Sequence, residues 1–285
     1  MSSSLSTRAP ADLRVEPVDG VLDEVERALQ TQLDRETLVR KRRSLGARTD
    51  RGTWVRVERR RFDKIGSQGW NGTECAALLE GVAKPQWHRG AAWRQPGDAV
   101  MWRADETDLL PGAPIGSSVL AIEPVLSDQW WQAFNASLDA LAEQHTSRVA
   151  TPDTVVITQI GVAEAIHRFL RNGVDTTVEQ WLPAHADLNW ANMTGPEFCL
   201  FDWEDWGMAP QGLDAASLWG NSLAVPTLAE RVRHERRHDL ESRDGKLMTL
   251  FVCAKILALD AHPEDPRLEP ARVMAEEVAE DLQSG

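Results

Sequence analysis

The stretch His185-Ala186-Asp187-Leu188-Asn189-Trp190-Ala191-Asn192, followed by Phe198-Cys199-Leu200-Phe201-Asp202, decides how the rest of the chain reads. It spells H-x-D-x-x-x-x-N, then a short apolar run closed by an aspartate. Phosphoryl transfer needs this set of groups. One carboxylate receives the proton of an attacking hydroxyl, and an amide and a second carboxylate hold Mg2+ against nucleotide phosphates. Asp187 lies between apolar Leu182 and Leu188, where a loop exposes it. A loop that points Asp187 at an acceptor can turn Asn192 back toward a metal. Asp202 ends a run that reads as a strand, and a strand end holds a metal ligand rigidly. His185 is placed to brace the loop through backbone hydrogen bonds. Each residue alone is ordinary, but the ordered set, with an apolar strand between Asn192 and Asp202, is specific.

The chain around this block is long enough for two lobes. It has 285 residues, 42% of them hydrophobic, which supports a sizeable core. No apolar run approaches the roughly 20 residues that cross a bilayer, and the first residues lack the apolar centre of a secretion signal. The expectation is a cytoplasmic protein without a membrane partner. Cys75, Cys199 and Cys253 are widely separated, and two sit in apolar runs, so they read as reduced core cysteines. The net charge of −13 argues against nucleic-acid binding. The charge is uneven. From Arg35 to Lys64 there are twelve Lys/Arg against four Asp/Glu, a local +8, so the remainder carries −21. A basic segment suits a polyphosphate, and an acidic remainder suits a cationic second substrate. Twelve Trp and no Tyr point to a Trp-filled core and remove one common acid–base group.

The pattern of apolar residues changes along the chain. Leu22–Leu33 has helical spacing. Thr37–Arg43 and Thr53–Glu58 read as strands, with Val55 and Val57 on one face and Trp54, Arg56 and Glu58 on the other. The segment 45–52 between them, with Gly46 and Gly52, reads as a turn able to cover phosphates. Gly72–Glu80 reads as a short helix and Ala99–Trp102 as a strand, with a connector near 103–115. Helical spacing then dominates: 130–141, 160–170, 213–223, 226–240, 246–259 and 269–283.

The segment Pro183–Met193, with Leu200-Phe201-Asp202-Trp203-Glu204-Asp205-Trp206-Gly207 and Leu213-Asp214-Ala215-Ala216, resembles the aminoglycoside phosphotransferase family, within the wider protein-kinase-like fold. The family pattern is close to H-G-D-x-x-x-x-N, then an apolar run ending I-D-W-E, then D-L-A. The match covers roughly 180–220 and is organisational elsewhere. The resemblance implies an α+β, two-lobed protein-kinase-like fold. A disordered tail at 1–14 precedes a small antiparallel nucleotide-binding lobe at 15–104 and a helical lobe at 105–285. It implies Asp187 as catalytic base with His185 supporting the loop, Asn192 and Asp202 as Mg2+ ligands, and Asp214 as an internal anchor. It implies ATP or GTP with Mg2+ as cofactors and a hydroxyl-bearing small molecule as acceptor, and the acidic remainder of the chain suits a cationic one. The nucleotide is expected near Met101 to Arg103, at the connector between the lobes.

The small lobe departs from the pattern. No strand lysine stands out; Arg56 falls about where it is expected, with Glu74 as its helix partner and Lys64 as a second candidate. Arginine grips phosphate as a fork and not as a point charge. The family glycine between His185 and Asp187 is Ala186. Three further readings stay open. One is a kinase-like scaffold without catalysis. Another is a kinase acting on peptide Ser/Thr. The last is a metal-dependent hydrolase built on His185, Asp187 and Asp202, which would call for more histidines than the seven present.

Overall fold

The computed structural model of the chain describes residues 12–66, 68–94, 99–169, 173–258 and 263–284. It divides into two compact units. The first is the chain up to Ala77 together with Pro85–Leu109; the second is Leu78–Lys84 together with the chain from Leu110 onward.

The first unit holds helix α1 (Asp19–Leu29), strands β1 (Val39–Arg40), β2 (Ser44–Arg48) and β3 (Thr53–Arg61), helix α2 (Gly72–Ala76), and strands β4 (Trp87–Trp93) and β5 (Val100–Asp108). The strands form one antiparallel sheet in the order β1-β2-β3-β5-β4. Alternation makes the sheet two-faced. Val55, Val57, Trp102 and Ala104 point to one side, where they join Leu45 and Ala47 and the helix residues Leu22, Val25 and Leu29 in a single core. The C-terminal end of α1 is held by Arg51, which bonds the Gln30 carbonyl, and by Arg89, 3.4 Å from the Leu29 carbonyl. Both arginines pair with Glu106, which is only 1% exposed. A buried carboxylate persists because two cations surround it, and the cations favour the negative end of the helix.

Several expectations shift here. Gly46 is not in a turn. It lies within β2, where a β-carbon would come 2.3 Å from Trp54 Cζ2, so the glycine makes room for an indole. The strand expected at 37–43 is only Val39–Arg40, and the chain makes two tight turns, at 41–43 and 49–52, in place of one long one. Strand β4 has no expectation behind it, and β5 runs on to Asp108 through what reads as a connector. Of the expected tail, residues 1–11 lie outside the described residues, while Leu13 is 1% exposed and joins the core.

The second unit holds β6 (Ala113–Pro114), α3 (Asp128–Ala142), α4 (Gln159–Phe169), β7 (Trp181–Ala184), β8 (Thr194–Gly195) and β9 (Gly207–Pro210). Helices α5 (Leu213–Ser222), α6 (Pro226–Glu235), α7 (Arg237–Leu240), α8 (Arg243–Ala258) and α9 (Leu268–Ser284) follow. β6 pairs with β8 and β7 with β9, both antiparallel. Trp130, Trp131, Phe134, Trp190 and Phe198 pack ring to ring at centroid distances of 5.0 to 6.3 Å. Their buried indoles are satisfied where it matters: Trp130 Nε1 donates to the Thr194 carbonyl at 2.8 Å and Trp190 Nε1 to Ser222 Oγ at 3.0 Å. This cluster fixes both ends of the segment 190–198. The three cysteines are free, and Cys199 and Cys253 are buried. Among the described residues no helix is long and apolar enough to cross a membrane.

Candidate active site

The segment from Pro183 to Trp190 is buried at every residue except Asp187. Apolar neighbours drive the loop inward, and one carboxylate is left at the surface. Its lone pairs are partly used. Asp187 Oδ1 accepts from Asn189 Nδ2 at 3.0 Å and Oδ2 from Asn192 Nδ2 at 2.9 Å. The same two amides also donate to the Asp187 carbonyl, at 3.0 and 2.9 Å. A carboxylate has about four acceptor sites, so sites remain for an incoming hydroxyl. Burial raises the Asp187 carboxyl above the usual aspartate range, and the charges of Asp202 and Asp153 push the same way. The amide bonds from Asn192 and Asn189 pull it back.

The loop is anchored from beneath. Asp214, in the first turn of α5, accepts the backbone N–H of His185 at 2.6 Å and of Ala186 at 2.8 Å. Both groups are buried, so these bonds replace lost solvent. Ala186 sits at φ +67, in the left-handed region. The glycine of the H-G-D pattern is thus a conformational requirement, and alanine meets it at a cost of about 1–2 kcal/mol. His185 is fully buried. Its ring packs edge-on against Trp203, 4.7 Å between centroids, and Nε2–H donates to the Phe201 carbonyl at 3.0 Å. Burial pushes this imidazole down, toward the neutral form.

That histidine bond reaches the second half of the site. Phe201 N–H donates to the Asn192 carbonyl at 3.0 Å and Thr194 N–H to the Cys199 carbonyl at 3.1 Å, closing a hairpin that sets Asn192 beside Phe201 and Asp202. The apolar strand expected at 198–201 is here a single bridge, Leu200 to Met193. Leu200 N–H also donates to the Ala83 carbonyl at 2.8 Å, so the segment 78–84 backs the hairpin. Asp202 is half-buried and, like Ala186, left-handed, at φ +70.

The donors fit one kind of metal. With Nδ2 bonded to Asp187, Asn192 keeps its amide oxygen, and Asp202 supplies a carboxylate: two hard oxygens. Mg2+ asks for one or two such groups and fills its shell with water and phosphate. Among the described residues no three His, Cys, Asp or Glu side chains converge to hold a metal ion. The His185 ring is closed to solvent and its Nε2 is committed to a carbonyl. Among the described residues the hydrolase reading has no three-ligand cluster.

Comparison with known proteins adds the fold. No family model matches the chain, and no curated protein matches its sequence. Among solved structures, aminoglycoside phosphotransferase APH(4)-Ia superposes at a TM-score of 0.56 with 10% identity, over 93% of this chain and 99% of that one. The GDP and kanamycin complex of APH(2")-IIIa superposes at 0.54 with 13% identity, over 93% and 99%. The chain has the aminoglycoside phosphotransferase fold. The α+β, protein-kinase-like class expected from the sequence is the one observed.

Within this fold, His185, Asp187, Asn192 and Asp202 come together in the second unit. The other four sequence candidates lie in the first unit, and Arg56 and Glu74 are not paired with each other as expected. Arg56, on β3, pairs with Glu58. Glu74, on α2, pairs with Arg103 at 3.1 Å, and Arg103 also binds Asp105 at 2.6 Å. The reason is register: β3 sets Arg56 opposite Asp105 and Glu58 opposite Arg103, and the helix acid reaches the β5 arginine. Met101 and Arg103 are not at a connector but in the first half of β5, with Met101 opposite Arg60. Lys64 closes a short turn after β3. Sequence reasoning missed Asn189, whose spacing two residues from Asp187 is that of a side chain folding back on its own loop. It also missed Thr151, which bonds Asp205 Oδ1 at 2.6 Å, and Asp153, whose field reaches Asp187. No local pattern marks those two.

Proposed function

We propose that the protein transfers the γ-phosphate of Mg-ATP or Mg-GTP to a hydroxyl of a small molecule. One observation carries the reading: a single half-open carboxylate, Asp187, is held by two amides in a buried loop, and a closed hairpin sets Asn192 and Asp202 next to it. The fold supports it, and the similar structure solved with GDP and kanamycin is the reason for keeping GTP beside ATP.

In this reading the first unit is the nucleotide-binding one and the second carries the loops of catalysis. Asp187 accepts the acceptor's hydroxyl proton as the new O–P bond forms and the bond to the leaving diphosphate breaks. Asn189 and Asn192 fix the rotamer of Asp187, so that its free lone pairs face the acceptor and little reorganisation precedes the step. A raised carboxyl is a better base than an ordinary aspartate, provided it is still ionised at working pH. Mg2+, when bound by Asn192 and Asp202, supplies charge to the phosphate oxygens. His185, neutral and buried, does not exchange a proton with the substrate; it ties the Asp187 loop to the Asp202 hairpin. Buried Trp203 and Trp206 flank the acids and keep water from competing with the acceptor.

The test is a transfer assay with γ-labelled ATP and GTP over a panel of amino sugars, amino alcohols and neutral polyols, with Asp187→Ala and Asp202→Ala as controls. Label moving to an acceptor in the wild type alone supports the reading. A second reading, a kinase-like scaffold, is favoured by one observation: the strand position expected to carry lysine holds an arginine engaged with Glu58. Nucleotide binding without transfer to any acceptor, a peptide Ser/Thr included, would favour it.

A further inference from the structure

Helices α5 to α9 enclose a cavity of about 180 Å³ in the second unit. That is smaller than the roughly 300 Å³ at which pockets for drug-sized ligands begin. Its apolar wall is Trp219, Leu240 and Val278, all buried. Most of the polar groups around it are already matched. Lys246 on α8 pairs with Asp281 on α9 at 2.6 Å, and Glu241 lies 3.9 Å from Arg237. The Thr249 hydroxyl donates to the Gly245 carbonyl at 3.0 Å. Two groups on the rim are different. Arg233, exposed near the end of α6, has no carboxylate partner among the described residues, and its Nη1 donates to the Met274 sulfur at 3.4 Å. Glu277, exposed on α9, makes no side-chain hydrogen bond or ion pair among the described residues. The cavity lies at the opposite end of α8 from the candidate active site. Lys246 stands on its rim, whereas Lys255, about 13 Å further along the helix, bonds Asp153, whose charge reaches Asp187.

One cation and one acid without ion partners, set over an apolar wall, select among ligands. A plain anion would gain Arg233 but face Glu277 and Glu241. A plain cation would gain the acids but face Arg233. A neutral apolar molecule would cover both charges without pairing either, which costs free energy. A molecule carrying both charges pays neither penalty. We infer that this cavity binds a small zwitterion with an apolar side chain, an α-amino acid in chemical class. Its carboxylate takes the Arg233 fork, its ammonium faces Glu277, and its side chain lies on Trp219, Leu240 and Val278. The guanidinium suits the carboxylate because two of its N–H groups can bond two oxygens at once. The site is separate from the proposed phosphotransfer centre and stands or falls without it.

Calorimetric titration of the full chain, without nucleotide, tests it with three probes. Leucine carries both charges, 4-methylpentanoate lacks the amine, and 3-methylbutylamine lacks the carboxylate. In the wild type leucine is expected to bind about tenfold or more tighter than either fragment, because each fragment forfeits one charge-assisted contact. Arg233→Ala should weaken leucine by a similar factor and leave 3-methylbutylamine no weaker. Glu277→Gln should weaken leucine and leave 4-methylpentanoate no weaker. Both side chains are exposed, and an unchanged melting temperature checks the fold of each variant. The comparison of the three probes on the wild type tests the same claim without any variant. No saturable leucine binding, or fragments that bind as tightly as leucine, overturns the inference. So does leucine affinity that is unchanged in both variants, which would put the amino acid elsewhere. A loss in one variant alone would replace the zwitterion by a singly charged ligand and overturn it too.

Discussion

The loop system at 185–202 and the polar face of the first unit's sheet carry similar numbers of charged and amide groups, yet they are built differently. In the loop the polar groups are held by neighbours two to five residues away or by Asp214 from beneath, and residues 183–190 are buried except for Asp187. Asn189 and Asn192 hold Asp187 from two and five residues away, and Asp214 holds the backbone before it. On the sheet face the partners lie two residues apart on the same strand, Arg56 to Glu58 and Arg103 to Asp105, or on the helix that follows β3, Arg103 to Glu74. The first arrangement fixes one geometry for one group. The second spreads charge over a surface where exposed pairs are worth little each. Chemistry is therefore expected to be brittle in the loop and tolerant on the sheet.

The largest effect that would break this contrast is on Asp187. Asp187→Ala is expected to lower transfer by about 10²–10⁴-fold, the usual worth of a positioned base, while Mg-nucleotide affinity stays within a factor of about two. Loss of binding in place of rate would move Asp187 to the ligand set. Next comes Asp214→Ala, which leaves two buried N–H groups without an acceptor. Urea unfolding should find a loss of about 2–4 kcal/mol; a change below about 0.5 kcal/mol would mean the loop is not anchored there.

The electrostatic side can be read in the ligand-free protein. Carboxyl NMR should find Asp187 titrating above the usual 3.8. The sign follows from burial: the ionised form is the disfavoured one in the fold. Ligand-free stability from this group is therefore highest below the ordinary aspartate pKa, and it declines as pH rises through the raised value. The base form needed for transfer is lost as pH falls through that same raised value. A titration at or below the ordinary range would show that the amide bonds outweigh burial.

Two smaller effects sharpen the comparison. Ala186→Gly should stabilise by up to about 1 kcal/mol by relieving the left-handed alanine, visible as a rise in melting temperature with activity retained. Glu74→Gln, on the sheet side, should change stability by no more than about 1 kcal/mol, because Glu74 is 46% exposed. A larger loss would make Arg103–Glu74 a structural element equal to the loop.

The contrast also explains what the sequence discloses. The set His185, Asp187, Asn192, Asp202 is legible because its contacts fall within one loop and one hairpin. Val55 and Val57 announce their face because a period of two is visible without partners. Register is not visible, so the sequence suggests Arg56 with Glu74, although that acid pairs with Arg103 on β5. Gly46 reads as a turn residue because turns and close contacts with an indole ask for the same side chain, none. Strand β4 is hidden since only Trp87, Ala91 and Trp93 turn partly inward along an otherwise exposed edge.

The most direct test of the central claim, that the 185–202 loops hold a Mg-nucleotide for transfer, is a thermal-shift titration of wild type and Asp202→Ala with Mg-ATP and Mg-GTP. A ligand at about 100 times its dissociation constant adds roughly 2.7 kcal/mol, a rise of several degrees for a chain of this length. The account predicts that rise in the wild type, dependent on Mg2+, and its loss in Asp202→Ala. No rise with either nucleotide, or an equal rise in both proteins, would contradict it.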